Sequence, residues 1–192
     1  MGNKDHIIVV SGLPRSGTSM MMKMLEASGQ PILTDNLREA DANNPNGYYE
    51  FERVKQLPDG DYGWVPEAGG KVVKIVTGLI MNLPTDYKYK VIFMQRAMKE
   101  VLASQRKMLG RLGEKDDKVE DTKMKNIYRE HLKQVNIWIS KQPNIDVLYV
   151  NYNTMLDNPL DSLRKVNEFL SGELDVNVMA GVINRDLYRE RK

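Results

Sequence analysis

A β-branched run, Ile7-Ile8-Val9-Val10, leads directly into Gly12-Leu13-Pro14-Arg15-Ser16-Gly17-Thr18-Ser19, and the Met- and Leu-rich stretch Met20 to Ser28 follows at once. Because its apolar residues are consecutive rather than alternating, His6 to Ser11 reads as a strand buried on both faces, central in a parallel sheet. Gly29 and Pro31 mark the end of the helix that follows. A strand that turns through glycines into a helix aims backbone N–H groups and the positive helix end at one point, which favours an anion there. Ser16, Thr18 and Ser19 add hydroxyl donors, and Arg15 adds a planar cationic fork that suits phosphate or sulfate oxygens. A merely structural turn with a Ser or Thr helix cap is the competing reading; the coincidence of strand, helix, three hydroxyls and an arginine favours the anion loop.

The same alternation recurs downstream. Lys71 to Val76 and Lys90 to Gln95 are short β-rich runs, and Met98 to Leu109 has helical apolar spacing up to Gly110. Gly110 to Lys125 is charge-dense and poor in apolar residues, which suits a mobile surface loop or lid, with an ordinary solvated connection as the favoured reading. An amphipathic helix is expected over Met124 to Ser140, a strand over Asp146 to Val150, and a helix from Asn158 as cap and Pro159 at its first position through Phe169-Leu170. Strands alternating with helices predict a three-layer α/β fold with a mainly parallel central sheet, formed by residues 1–192 as one domain.

Composition narrows the chemistry. The chain has no cysteine, which removes disulfides, thiolate catalysis and cysteine-ligated metals, and His6 and His131 alone cannot build a histidine metal cluster. A formal net charge of +2 is too small to predict a nucleic-acid wrapper. No stretch approaches the ~20 apolar residues of a membrane span, and Ile7 to Val10 is too short for a secretory leader, so a cytoplasmic protein is expected.

The loop has the two-glycine frame of a nucleoside-triphosphate site, but Thr18 stands where the lysine belongs. A carboxylate to help hold Mg²⁺ is also missing from the ends of the later strands, which read Ile75-Val76-Thr77, Gln95-Arg96 and Val150-Asn151. Both gaps point to a phosphate-bearing donor handled without metal.

Pro14-Arg15-Ser16-Gly17-Thr18-Ser19 resembles the 5′-phosphosulfate loop of sulfotransferases that use 3′-phosphoadenosine 5′-phosphosulfate (PAPS). Their second signature, a strand ending in Arg followed by a helical Ser, is matched by Val91 to Arg96 and Ser104. Val147 to Tyr152 with Met155 and Asn158-Pro159 is similar to the family's strand-Tyr segment, and Val73-Lys74 to its lysine-bearing strand. Asn44-Pro45-Asn46-Gly47-Tyr48-Tyr49-Glu50 resembles small bacterial members. The resemblance implies a P-loop fold, PAPS as sulfuryl donor with no required metal, and a small-molecule, lipid or carbohydrate acceptor. It also implies that Pro14 to Ser19 hold the 5′-phosphosulfate, that Arg96 and Ser104 hold the 3′-phosphate, and that Tyr152 lies near the adenine. Two departures stand out. Val76 occupies the place of the catalytic histidine of the cytosolic enzymes, and their C-terminal Arg-Lys-Gly motif is absent, with Leu187 to Arg191 the nearest substitute.

For transfer chemistry, a fixed cation is needed at the leaving oxygen, and Arg15 with Lys74 behind it are the candidates. Lys74 also reads as a lysine snorkelling from a strand end, and Arg96 as half of a structural ion pair. Glu50 is the first candidate for general base, with Glu39, Asp41, Glu52 and His131 as rivals. The competing functions are a P-loop kinase-like nucleotide enzyme and a non-catalytic nucleotide-binding module. Met20, Met21, Met22 and Met24 read as core of the first helix.

Overall fold

The computed structural model describes residues 5–35, 37, 47–111 and 118–184. The strands are β1 (His6–Gly12), β2 (Ile32–Leu33), β3 (Val72–Lys74), β4 (Lys88–Gln95) and β5 (Ile145–Asn151). They form one parallel sheet in the order β2-β3-β1-β4-β5. The helices are α1 (Thr18–Ala27), α2 (Thr77–Ile80), α3 (Met98–Arg111), α4 (Lys118–Ile139), α5 (Tyr152–Asp157), α6 (Pro159–Phe169) and α7 (Val176–Gly181), with 3₁₀ segments over Glu52–Asp59 and Val65–Ala68.

Alternation along each strand divides the core between the two sheet faces. Val9, Val91 and Phe93 join Val73 in packing against the 3₁₀ segments, α2 and α4, with Leu57, Trp64, Ile80, Val135 and Ile139 buried there. Val10, Ile92 and Met94 face the other way, onto Met21, Met22 and Met24 of α1 and onto α5, α6 and α7. This is the expected three-layer arrangement, and the methionines of α1 pack its core as expected.

Register places the site. Gly12 pairs with Met94, Gln95 with Asn151, and Val10 with Lys74, so the C-terminal ends of the four longer strands converge. From β1 the chain moves toward β3 and β2, and from β4 toward β5, so the order reverses between β1 and β4. That reversal opens a crevice beyond the strand ends, where open α/β sheets take their ligands.

Two element expectations need correction. The helix predicted to stop at Gly110 continues through Arg111, and the helix predicted from Met124 begins at Lys118. The described residues of the supposed surface connection, 110–111 and 118–125, are therefore helical. α3 and α4 contact each other, with Arg106 3.2 Å from Asp121, a tertiary pairing that the local apolar pattern does not report. Asn158 does cap the start of α6 by position, yet its side chain donates to Asp161 instead of accepting a helix N–H.

Candidate active site

The Gly12–Ser19 loop is wrapped too tightly for side chains at its glycines. Gly12 has φ 151°, and a Cβ there would lie 2.4 Å from Ser16 Oγ and 2.7 Å from the Met94 carbonyl oxygen. Gly17, at φ 99°, is the N-cap of α1, and a Cβ on it would lie 2.4 Å from Tyr152 Cδ2. No side chain caps α1. The Ser or Thr cap reading therefore fails, and the positive end of the helix faces the loop without a side-chain cap at its N-cap position, as an anion site requires. Ser16 is 1% exposed and its Oγ has no hydrogen-bond partner within the protein. A buried hydroxyl without a partner costs stability, so its presence in this loop fits a site built to donate to a ligand oxygen.

Arg15 occupies the left-handed region at φ 70°, a conformation that costs a non-glycine residue about 1–3 kcal/mol. Two contacts hold it there. The Arg96 guanidinium donates through Nη1 to the Arg15 carbonyl oxygen at 3.0 Å, and Arg15 Nε donates to Ser104 Oγ at 2.9 Å. The loop is thereby joined to the arginine ending β4 and to the serine on α3. Ser104 accepts from Arg15 and keeps its own hydroxyl hydrogen to donate.

Arg96 is itself buried. Its Nε donates to Glu100 Oε2 at 2.8 Å, and its side chain and that of Glu100 are each 8% exposed. The Tyr152 ring lies 4.5 Å from the guanidinium carbon, so Tyr152 packs against both Arg96 and Gly17. Burial raises the Tyr152 phenol, with the Arg96 charge pulling the other way. Thus Arg96 does form the ion pair that was the competing reading, while also lining the crevice.

Lys74, at the end of β3, donates through Nζ to the Tyr48 carbonyl oxygen. It thereby ties the Gly47-to-Glu50 segment to the strand beside the loop. Tyr49, at φ 50°, donates its hydroxyl to Glu26 Oε2 of α1 at 2.6 Å, and the Glu50 carbonyl oxygen accepts from Thr34 Oγ1 at 2.8 Å. Burial, then the bond and charge of Glu26, raise the Tyr49 phenol above its ordinary value. The Glu50 carboxylate lies 3.7 Å from Lys55 with its side chain 22% exposed, whereas Glu52 beside it is 46% exposed and bonds Lys55 at 2.6 Å. His131 lies on α4. Glu39, Asp41, Asn44 to Asn46 and Leu187 to Arg191 lie outside the described residues.

A cavity of about 490 Å³ opens here, lined by Leu13 and Ser16 of the loop, Phe93 and Arg96 of β4 and its end, and Asn136 and Asn151 from α4 and β5. Its size suits a small-molecule ligand. Sequence reasoning missed Glu100, Asn153 and the Tyr49–Glu26 bond. The first was detectable: Arg96 and Glu100 stand four apart across a helix start, with the acid in the first turn.

A parallel α/β sheet with an uncapped, hydroxyl-lined loop and two coupled arginines at its switch point describes an α/β protein with an anion-binding site. The sequence matches the sulfotransferase domain family over residues 4–189, and the chain belongs to that family of transferases. Its fold is similar to the sulfotransferase domain from the curacin biosynthetic pathway, at TM-score 0.53 and 14% identity over 90% of this chain and 76% of that one. It is also similar to the sulfotransferase domain from the Synechococcus PCC 7002 olefin synthase, at TM-score 0.52 and 13% identity over 100% of this chain and 85% of that one. No curated protein sequence matches it significantly.

Proposed function

We propose that this protein moves a sulfuryl group from PAPS to a hydroxyl or amine of a small-molecule, lipid or carbohydrate acceptor. The observation that carries the proposal is the left-handed Arg15 beside the uncapped start of α1, linked to both Arg96 and Ser104. In this reading the backbone N–H groups and hydroxyls of Pro14 to Ser19 receive the 5′-phosphosulfate, and Arg96 and Ser104 receive the 3′-phosphate. The match over residues 4–189 supports treating 1–192 as one such domain.

The acceptor oxygen or nitrogen bonds to sulfur as the bridging S–O bond breaks, and the electron pair leaves on the phosphate oxygen. Arg15 stabilises that developing charge, with Lys74 as a second cation. A base takes the acceptor proton, and Glu50, more buried than Glu52, is assigned that role. Tyr152 acts by packing: it holds the loop at Gly17 and the face of Arg96.

The test is thermal unfolding with 3′-phosphoadenosine 5′-phosphate, ADP or ATP, each with and without Mg²⁺. A ligand selective for the native state adds about 2.7 kcal/mol at 100 times its dissociation constant. The bisphosphate should give the largest shift, unchanged by Mg²⁺ or EDTA. A larger response to Mg-ATP would overturn the donor assignment.

A further inference from the structure

We propose that Glu100 is a positioning residue for the sulfuryl-transfer step, acting through Arg96 to hold Arg15 in its working conformation. The inference rests on the sulfotransferase reading for its kinetic consequence and on geometry alone for its structural one.

Glu100 is 7% exposed, and both its oxygens are engaged. Oε2 accepts from Arg96 Nε at 2.8 Å and Oε1 from Asn153 Nδ2 at 2.7 Å, while Asn153 Oδ1 accepts from the Ala97 N–H at 3.4 Å. A guanidinium is planar, so fixing Nε on a carboxylate also fixes the direction of Nη1. Nη1 points at the carbonyl oxygen of Arg15, the residue with φ 70°. Arg15 in turn reaches back to Ser104, one helical turn beyond Glu100 on α3. The result is a closed ring: Glu100, Arg96, Arg15, Ser104, and α3 back to Glu100. An ion pair serving only to join α3 to β4 would not need to end on the one left-handed arginine of the described loop. Without the carboxylate, Arg96 loses its fixed direction, and Arg15 is free to relax toward the right-handed region that L-residues prefer.

The test compares Glu100→Ala, Glu100→Gln and the exchange variant Glu100→Gln/Asn153→Asp. In Glu100→Gln an amide hydrogen faces the Asn153 amide. The exchange variant restores every bond of the ring, because the new amide donates to the new carboxylate, which still accepts from the Ala97 N–H. The first readout is hydrogen exchange of the Arg15 Nε–H by NMR in ligand-free protein. The second is turnover with PAPS against the dissociation constant of the bisphosphate product. Glu100→Gln should speed exchange at Arg15 Nε and lower turnover by on the order of 10²-fold, with a smaller change in product affinity. Glu100→Ala should do at least as much, and the exchange variant should recover both. Should Glu100→Ala fail to fold, the Gln and exchange variants carry the comparison alone. Unchanged Arg15 exchange in Glu100→Gln, or an exchange variant no better than Glu100→Gln, would overturn the inference. If the native protein transfers no sulfuryl group while Arg15 exchange responds as stated, the sulfotransferase reading fails and the positioning of Arg15 by Glu100 stands.

Discussion

Two glycines and one tyrosine set the tightness of the loop. At Gly17 a methyl group meets both an unfavourable φ of 99° and the Tyr152 ring 2.4 Å away. Backbone strain and overpacking each cost about 1–3 kcal/mol, so Gly17→Ala should destabilise the protein by about 3 kcal/mol in urea unfolding. Removing the ring relieves only the second of these. In the Tyr152→Ala background, Gly17→Ala should therefore cost measurably less, a coupling that neighbouring residues show and distant ones do not. Strictly additive losses would mean that the ring is not what confines Gly17. The chemistry of the loop was plain in the sequence because glycines, hydroxyls and Arg15 are local signals. The commitment of Arg96 to Glu100 and to the Arg15 carbonyl was not, since it depends on where β4 ends relative to the loop.

At the scale of elements, the segment from Gly47 to Phe51 is a strap whose fastenings include Lys74 on the Tyr48 carbonyl, Tyr49 on Glu26, and Thr34 Oγ1 and the Asp35 N–H on the Glu50 carbonyl. These attachments cross from β3 to α1 on the β3 side of the loop, away from the Arg96–Ser104 side. Tyr49→Phe removes a bond to an exposed carboxylate and should cost no more than about 1 kcal/mol. If the strap borders the acceptor, the same variant should raise KM for the acceptor while leaving the dissociation constant of the bisphosphate unchanged. Equal loss for both ligands would place the strap over the donor instead. The strap was legible only as a motif, because its fastenings join residues far apart in sequence. The long strands were legible for the opposite reason: the apolar runs of β1 and β4 can be buried only in the middle of a sheet. β2 was missed because Ile32–Leu33 has two residues and is a strand only by pairing with Val72 and Val73. α5 was missed because it starts at Tyr152 directly after β5 ends at Asn151, with the Asn151 side chain accepting from the Thr154 N–H as its cap. α4 begins at Lys118, earlier than its apolar pattern, and Asp121 in that first turn pairs with Arg106 of α3, a partner that periodicity does not reveal.

Across the described molecule the tyrosine phenols predict how stability responds to pH. Tyr49, Tyr89, Tyr128, Tyr149 and Tyr152 all have phenols raised above the usual 10.0, and burial is the leading cause for each. Tyr89 is the strongest structural case: it is 1% exposed and donates its hydroxyl to the Pro84 carbonyl at 3.0 Å. When the folded value lies above the unfolded one, the unfolded chain releases its proton first as pH rises. The native state then binds more protons than the unfolded state, and linkage requires stability to fall with increasing pH. The contribution is complete below 10.0 and is lost progressively above it. Among the described residues, Asp61 is lowered by its hydrogen bond and charge partner Arg53 in an exposed pair, and such pairs contribute little to stability at low pH. Urea unfolding followed from about pH 9 to about pH 11 should therefore show a falling free energy, with tyrosinate absorbance appearing mainly as the protein unfolds. Tyr89→Phe isolates the share of that loss that belongs to the Tyr89 phenol. That variant should be less stable than the native protein near neutral pH, having lost the bond to Pro84, yet decline less steeply through the alkaline range. Parallel slopes for the two proteins would assign the alkaline loss to groups other than the buried Tyr89 phenol.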